Sequence, residues 1–177
     1  MEDKTIANYF INVLRNEPEE LSLSLSKKGW ISWKEFFSGV EKYFERDLSK
    51  EKLESILKEN NKGRLEITEN RLRATTGHTT EQVTYDYKEP PEKLFYSSSR
   101  NDILTEGIRS KDGGYIQVYD SPRKALEGRP RLKKPTIFSI KSKKGWNNGV
   151  VFYYHLENWY CKEVPRDFIG EMKNADF

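Results

Sequence analysis

The chain has 177 residues, carries a formal net charge of +3 with its histidines neutral, and is 33% charged and 13% aromatic. That aromatic content excludes a disordered chain, since rings bring large burial per residue, and the length allows one domain or two small lobes with a real core. With a pI near 8.8 and a mean hydropathy of -0.88, the chain is only mildly basic, so bulk charge does not demand nucleic acid and local clusters of Lys and Arg decide more.

Residues 5–16 predict a helix, because Ile6, Phe10, Val13 and Leu14 recur at spacings of three and four on one face. Pro18 closes it by pushing the preceding residue out of the α region. Arg15 and Asn16 fall in the last turn, where a cation also complements the helix dipole. Leu21, Leu23 and Leu25 alternate with serines and predict a short extended segment before a turn. A second helix is predicted over 33–46 from the stripe Phe36, Phe37, Val40, Tyr43 and Phe44. Ser49 reads as the N-cap of a third helix running to about Lys58, with Lys52 where a full capping box has Glu. Asn60-Asn61-Lys62-Gly63 is a turn, and 64–68 with 71–74 read as a two-stranded ribbon.

Three helices and a ribbon outline a winged helix, a fold in which a helix and a basic wing commonly face nucleic acid. Lys62, Arg64, Arg71 and Arg73 set positive charge along that wing, which attracts phosphate without reading sequence. An ordinary solvated face would carry the same residues. The densest stretch is Arg71-Leu72-Arg73-Ala74-Thr75-Thr76-Gly77-His78-Thr79. Its guanidinium forks match phosphate geometry, and its Gly-His pair lets backbone approach a ligand beside an imidazole.

Lys88-Glu89-Pro90-Pro91-Glu92 reads as a stiff linker between 1–88 and 89–177. Beyond it, strands are predicted at 94–96, 115–118, 136–140, 150–154 and 159–161, with helical breaks near 102–105 and 122–126. The expectation is a small α+β lobe with a mostly antiparallel sheet. Gly128-Arg129-Pro130-Arg131-Leu132-Lys133-Lys134 is a second basic cluster. The single cysteine, Cys161, excludes an internal disulfide and a cysteine-built zinc site, and reads as a buried spectator thiol. His78 and His155 are far apart, so no metal is expected. The polar N-terminus carries no apolar leader core, and no apolar run reaches the ~18 residues of a membrane span. A soluble, cytoplasmic monomer with no membrane partner is the expectation.

Several motifs together resemble the NAD-dependent RNA 2′-phosphotransferase family, over nearly the whole chain from about Tyr9 to Ile169. Leu14-Arg15-Asn16-Glu17-Pro18 resembles its Leu-Arg-His-x-Pro. The run Ser22-Leu23-Ser24-Leu25-Ser26-Lys27-Lys28-Gly29-Trp30-Ile31 resembles Gly-Leu-x-Leu-Asp-x-x-Gly-Trp-Val. Asn60-Asn61-Lys62-Gly63-Arg64-Leu65 resembles Asn-Asp-Lys-x-Arg-Phe. Leu72-Arg73-Ala74-Thr75-Thr76-Gly77-His78-Thr79 resembles Ile-Arg-Ala-x-Gln-Gly-His-Ser, and Val164-Pro165 matches the Val-Pro near the end.

The resemblance implies an N-terminal winged-helix lobe for RNA and a C-terminal ADP-ribosyltransferase-like lobe for NAD, used as a co-substrate. It implies removal of an internal, splice-junction 2′-phosphate, giving 2′-hydroxyl RNA, nicotinamide and ADP-ribose cyclic phosphate, as in tRNA processing. The family's Arg-His-Arg-Arg set maps to Arg15, Asn16, Arg73 and Arg131. Arg131 is chosen over Arg129 because Ala125 and Pro135 satisfy the spacings on either side. His78 and Thr79, with Tyr96, Ser97, Ser98, Gln117 and Tyr119, are implied to line the NAD site, and Lys62, Arg64 and Arg71 to meet RNA.

Three family histidines are replaced. Asn16 stands in the first position and cannot take a proton, as histidine does near its unperturbed pKa of about 6.5. The nicotinamide-pocket pattern Leu-Tyr-His-Gly-Thr reads Leu94-Phe95-Tyr96-Ser97-Ser98, and His-Leu-Ser reads Gln117-Val118-Tyr119. The phosphate-gripping half of the pattern is kept better than the NAD half. Three readings follow. The chain is a divergent phosphotransferase, a catalytically impaired relative that binds phosphorylated RNA, or an ADP-ribosyltransferase that leaves its group on a nucleic-acid phosphate.

Overall fold

The computed structural model describes residues 2–44 and 47–172. The chain divides into two compact units, Met1–Thr84 and Tyr85–Phe177, and is an α+β protein whose sheets are antiparallel among the described residues.

The first unit begins with α1 (Asp3–Asn16), which buries Ile6, Phe10, Val13 and Leu14 as their spacing requires. Pro18 starts a single 3-10 turn, Pro18–Leu21. After β1 (Ile31–Ser32), Ser32 caps α2 (Trp33–Tyr43) with a full capping box, its hydroxyl accepting from the Glu35 amide. The predicted helix end at Arg46 lies outside the described residues. Ser49 caps α3 (Lys50–Asn60) by accepting from the Lys52 amide, as read from the sequence. The predicted ribbon is β2 (Leu65–Ile67) against β3 (Arg71–Ala74), with β1 added on the far edge in the order β1-β3-β2. Phe10, Phe36, Leu14, Leu53, Leu57 and Leu72 lie in one core.

The extended segment predicted over Leu21 to Leu25 forms no strand. Ser22 turns left-handed, and a side chain supplies the partner that a neighbouring strand would have. Gln82 accepts from the Leu25 amide at 2.7 Å and donates to the Leu23 carbonyl at 3.2 Å and to Glu19 at 2.9 Å. Leu21 and Leu23 instead pack on α2 at Gly39, where a Cβ would sit 2.6 Å from the Leu21 carbonyl and 2.5 Å from Leu23. Helix propensity alone favours Ala over Gly by about 1 kcal/mol, but overpacking costs about 1–3 kcal/mol, and a backbone carbonyl yields little. Gly39→Ala is therefore expected to lower the thermal midpoint in a calorimetric melt. An unchanged or raised midpoint would mean the Leu21 turn moves freely.

The second unit opens with β4 (Asp86–Tyr87) and β5 (Leu94–Ser98), then α4 (Ile103–Glu106), β6 (Ile108–Arg109) and β7 (Ile116–Val118). It continues through α5 (Pro122–Glu127), β8 (Thr136–Ile140), α6 (Ser142–Asn147), β9 (Phe152–His155) and β10 (Asn158–Cys161). It closes with β11 (Glu163–Val164) and β12 (Ile169–Glu171). Two sheets, β4-β9-β10-β7 and β12-β8-β5, are joined where Phe95 and Tyr119 exchange backbone hydrogen bonds at 2.7 and 2.8 Å. That junction brings the start of β5 beside the end of β7.

The Pro90-Pro91 segment is not a free linker. The Lys88 amide donates to the Phe152 carbonyl, Pro90 is buried, Ser142 donates to the Pro91 carbonyl at 2.6 Å, and Lys143 pairs with Glu89. Prolines read as a stiff connection from sequence are here a strap held to the second unit's own sheet and helix.

Cys161 is fully buried, and burial pushes its thiol up to about 12. The thiolate is the reactive form, so Cys161 is expected to resist alkylation in the folded protein and react only on unfolding. The folded value lies above the unfolded one near 9.0. The protonated thiol therefore stabilises the fold fully below pH ~9, and that contribution is lost as pH rises toward 12. A urea midpoint that falls through this alkaline window in the native protein, and falls less in Cys161→Ala, would verify it.

Candidate active site

In the first unit the site is built on the C-terminal end of α1. The last carbonyls of a helix have no partner within it. Here the Arg15 carbonyl accepts from the Thr79 amide at 3.0 Å and the Thr80 amide at 3.2 Å. The Thr79 hydroxyl donates to the Asn16 side-chain oxygen at 3.0 Å, and the Asn16 amide nitrogen donates to Asn12 at 2.6 Å. Arg15 and Asn16 are thus fixed to the loop after β3, the stretch that the sequence marks as densest.

Gly77 sits in that loop with φ 79°, and the space where its Cβ would be faces the Arg15 guanidinium at 3.7 Å. A glycine in a left-handed conformation leaves this approach open. His78 is fully buried, with its Nε2 3.3 Å from where a Gly29 Cβ would lie. It belongs to the packing of the loop rather than to its exposed rim.

Arg73 lies at the middle of the small sheet and is only 8% exposed. Its Nε and Nη2 donate to Glu66 Oε2 at 2.9 and 2.7 Å, its Nη1 donates to the Lys28 carbonyl at 3.1 Å, and its guanidinium lies 4.3 Å from the Trp30 ring centre. Arg71 covers the same indole at 4.1 Å. Arg64 donates to the Asn61 and Asn60 carbonyls at the end of α3 and to Asn8 on α1, so its charge serves the helix end. Lys62 is exposed in the preceding turn with φ 51°.

In the second unit, Tyr96 on β5, Tyr119 at the end of β7 and Arg129 after α5 form one cluster. The Arg129 guanidinium is 4.6 Å from the Tyr96 ring centre. Burial holds the Tyr119 hydroxyl above the ordinary phenol range, and the neighbouring Arg129 acts in the opposite sense. The backbone of Gly128 is so close that a Cβ would fall 2.1 Å from the Tyr119 oxygen. A cavity of about 460 Å³ is lined by Gly128, Arg129, Pro130, Arg131 and Leu132. Arg131, chosen from spacing, is exposed on its wall. Arg129, passed over, holds the aromatic pair, and the glycine before it was the available signal.

Ser97 and Ser98 point inward. The Ser97 hydroxyl donates to the Ala125 carbonyl at 2.6 Å, tying β5 to α5, and Ser98 accepts from the Arg100 amide at 3.1 Å. Gln117 donates across the sheet to Asn158 at 3.0 Å. Asn12 and Glu66 were missed, having no special pattern in the sequence. The i,i+4 spacing of Asn12 to Asn16 and the cross-strand register of Glu66 to Arg73 are what bring them in.

Among the described residues no cluster of His, Cys, Asp and Glu could hold a metal, and no helix is long and apolar enough to cross a membrane. The geometry defines a class: an α+β protein that presents arginines beside a glycine-bearing loop, the arginines being groups suited to an anionic ligand.

The chain belongs to the RNA 2′-phosphotransferase, Tpt1 / KptA family, whose pattern matches residues 1–162. It is 30% identical over 177 residues to a protein of Pectobacterium atrosepticum named "Probable RNA 2'-phosphotransferase", covering 94% of this chain and 96% of that one. A Bacillus thuringiensis protein of the same name is 29% identical, with 91% of each chain covered. One from Flavobacterium johnsoniae is 27% identical, with 94% of each covered.

Proposed function

We propose that this protein removes an internal 2′-phosphate from RNA in an NAD-dependent reaction, with a winged-helix unit ahead of an ADP-ribosyltransferase-like unit. The observation that carries the reading is the locking of Arg15 and Asn16 to Thr79 and Thr80 beside the open face of Gly77. Arg15 and Arg73 of the first unit hold the RNA phosphate, because fixed cations stabilise spreading phosphoryl charge without reorganising. Lys62 and Arg71 add sequence-independent attraction for the RNA backbone.

The second unit's residues fit the anionic part of NAD. Arg129 and Arg131 stand on one cavity wall, and Tyr96 offers a ring already accustomed to a planar cation. As co-substrate, NAD would supply an acceptor: an RNA phosphate oxygen would displace nicotinamide from the ribose, and the neighbouring ribose hydroxyl would then displace the RNA 2′-oxygen from phosphorus, its proton passing to the departing oxygen, to leave ADP-ribose 1″,2″-cyclic phosphate and 2′-hydroxyl RNA. Asn16 orients the phosphate and moves no proton.

That last point favours a second reading. Asn16 donates to Asn12 and accepts from Thr79, so proton exchange at this position is absent and the covalent adduct between RNA phosphate and ADP-ribose accumulates. Incubating the protein with a 2′-phosphorylated oligonucleotide, with and without NAD, and weighing the product separates the two. Loss of phosphate only with NAD supports the full reaction, and a gain of one ADP-ribose supports the halted one. Unchanged RNA under excess enzyme would overturn both and leave a phosphate-binding protein.

A further inference from the structure

We infer that Glu66 is a positioning residue for Arg73, and that its carboxylate sets both the aim and the strength of this arginine toward phosphate. The inference rests on the reading of Arg73 as a phosphate-holding group. Register places the three residues in line. In the β1-β3-β2 sheet, Glu66 pairs directly with Arg73, and Ile31 pairs with Leu72, so Trp30 flanks Arg73 from the other edge. A guanidinium has five N–H donors. Glu66 takes one from Nε and one from Nη2 on the same oxygen, and the Lys28 carbonyl takes one from Nη1. One N–H is left on each Nη, the number that a bidentate contact with a phosphate uses.

Two opposed effects follow. The hydrogen bonds fix the plane of a side chain that otherwise has many rotamers, which raises affinity because less freedom is lost on binding. The negative charge, carried by a side chain that is 44% exposed, offsets part of the arginine's pull on an anion, which lowers affinity. Glu66→Gln keeps an acceptor oxygen and removes the charge. Glu66→Ala removes both. The two variants share their charge, so the difference between them reports positioning alone, and the difference between Gln and the native residue reports charge.

The probe is a short single-stranded RNA carrying one 2′-phosphate, compared with its 2′-hydroxyl twin, with no NAD present. Glu66→Gln is expected to bind the phosphorylated probe about 3- to 10-fold more tightly than the native protein, with the gain shrinking in salt. Glu66→Ala is expected to bind it about 10-fold more weakly than Glu66→Gln, the worth of a hydrogen bond to a charged group. Equal binding by the Gln and Ala variants would overturn the positioning role. The Arg73 Nε–H resonance gives an answer that needs no ligand. It is expected to be protected from exchange in the native protein and in Glu66→Gln, and lost in Glu66→Ala. If the native protein does not distinguish the two probes, the phosphate reading fails, whereas a resonance unchanged in Glu66→Ala refutes the positioning role by itself.

Discussion

Replacing Asn16 by histidine is expected to accelerate release of the RNA 2′-hydroxyl by about 10²–10⁴-fold, the usual worth of a placed general acid–base. The position already has what a catalytic imidazole needs. It stands in the last turn of α1, beside an acceptor on Asn12 that can orient a ring through one nitrogen as it orients the amide, leaving the other nitrogen for proton transfer. The variant's rate should follow a titration near pH 6.5, while the native rate stays flat through that range. Single-turnover mass analysis with NAD and a 2′-phosphorylated oligonucleotide decides it. Persistence of the ADP-ribosylated adduct in Asn16→His at the native level would show that proton transfer is not the missing part.

Truncating Arg15 is expected to have the largest effect in the losing direction. Arg15→Ala removes a guanidinium but spares the backbone tether, because the Arg15 carbonyl accepts from the Thr79 and Thr80 amides. The fold should therefore survive with little change in thermal midpoint. Removing one preorganised donor of this kind costs about 10²–10³-fold in rate. Arg15→Lys is expected to recover only a small part of it, since an ammonium is a point charge without the planar fork. Full recovery with lysine would mean that charge alone matters here. Retained activity in the alanine variant would remove Arg15 from the site.

The helices of the first unit were legible because the physics is local. Proline at 18, serine caps at 32 and 49 and an apolar stripe each act within a turn of where they stand. The ribbon and the strands at Thr136–Ile140 and Asn158–Cys161 were legible for the same reason. Short strands such as Ile108–Arg109 and Glu163–Val164 carry no pattern of their own and exist only because they pair with each other. The alternation at Leu21 to Leu25 misled because periodicity cannot see Gln82, which comes 57 residues after Leu25 and takes the place of a neighbouring strand.

The site divides in the same way. Arg15, Asn16 and Thr79 were found through motif resemblance, and the hydrogen bonds that join them are long-range. Arg64 looked like a free charge on a wing, yet it closes the end of α3, a role set by the backbone geometry at Asn60 and Asn61. Ser97 and Ser98 looked like ribose contacts. In a strand, alternate residues face opposite ways, but both hydroxyls here are drawn to backbone partners, a long-range one in α5 and a local one at Arg100.

The strap at Pro90-Pro91 has a consequence for where the second unit can be cut. Just ahead of it, Asp86 and Tyr87 pair with Tyr154 and Tyr153 and form the border of the four-stranded sheet. A fragment starting at the prolines would strip that border. The backbone of Phe152–His155 would then lie bare, next to tyrosines on both faces, as a template for another chain to add a strand. Starting at Tyr85 keeps the seam closed, so the two-residue strand acts as a guard against self-association out of proportion to its length.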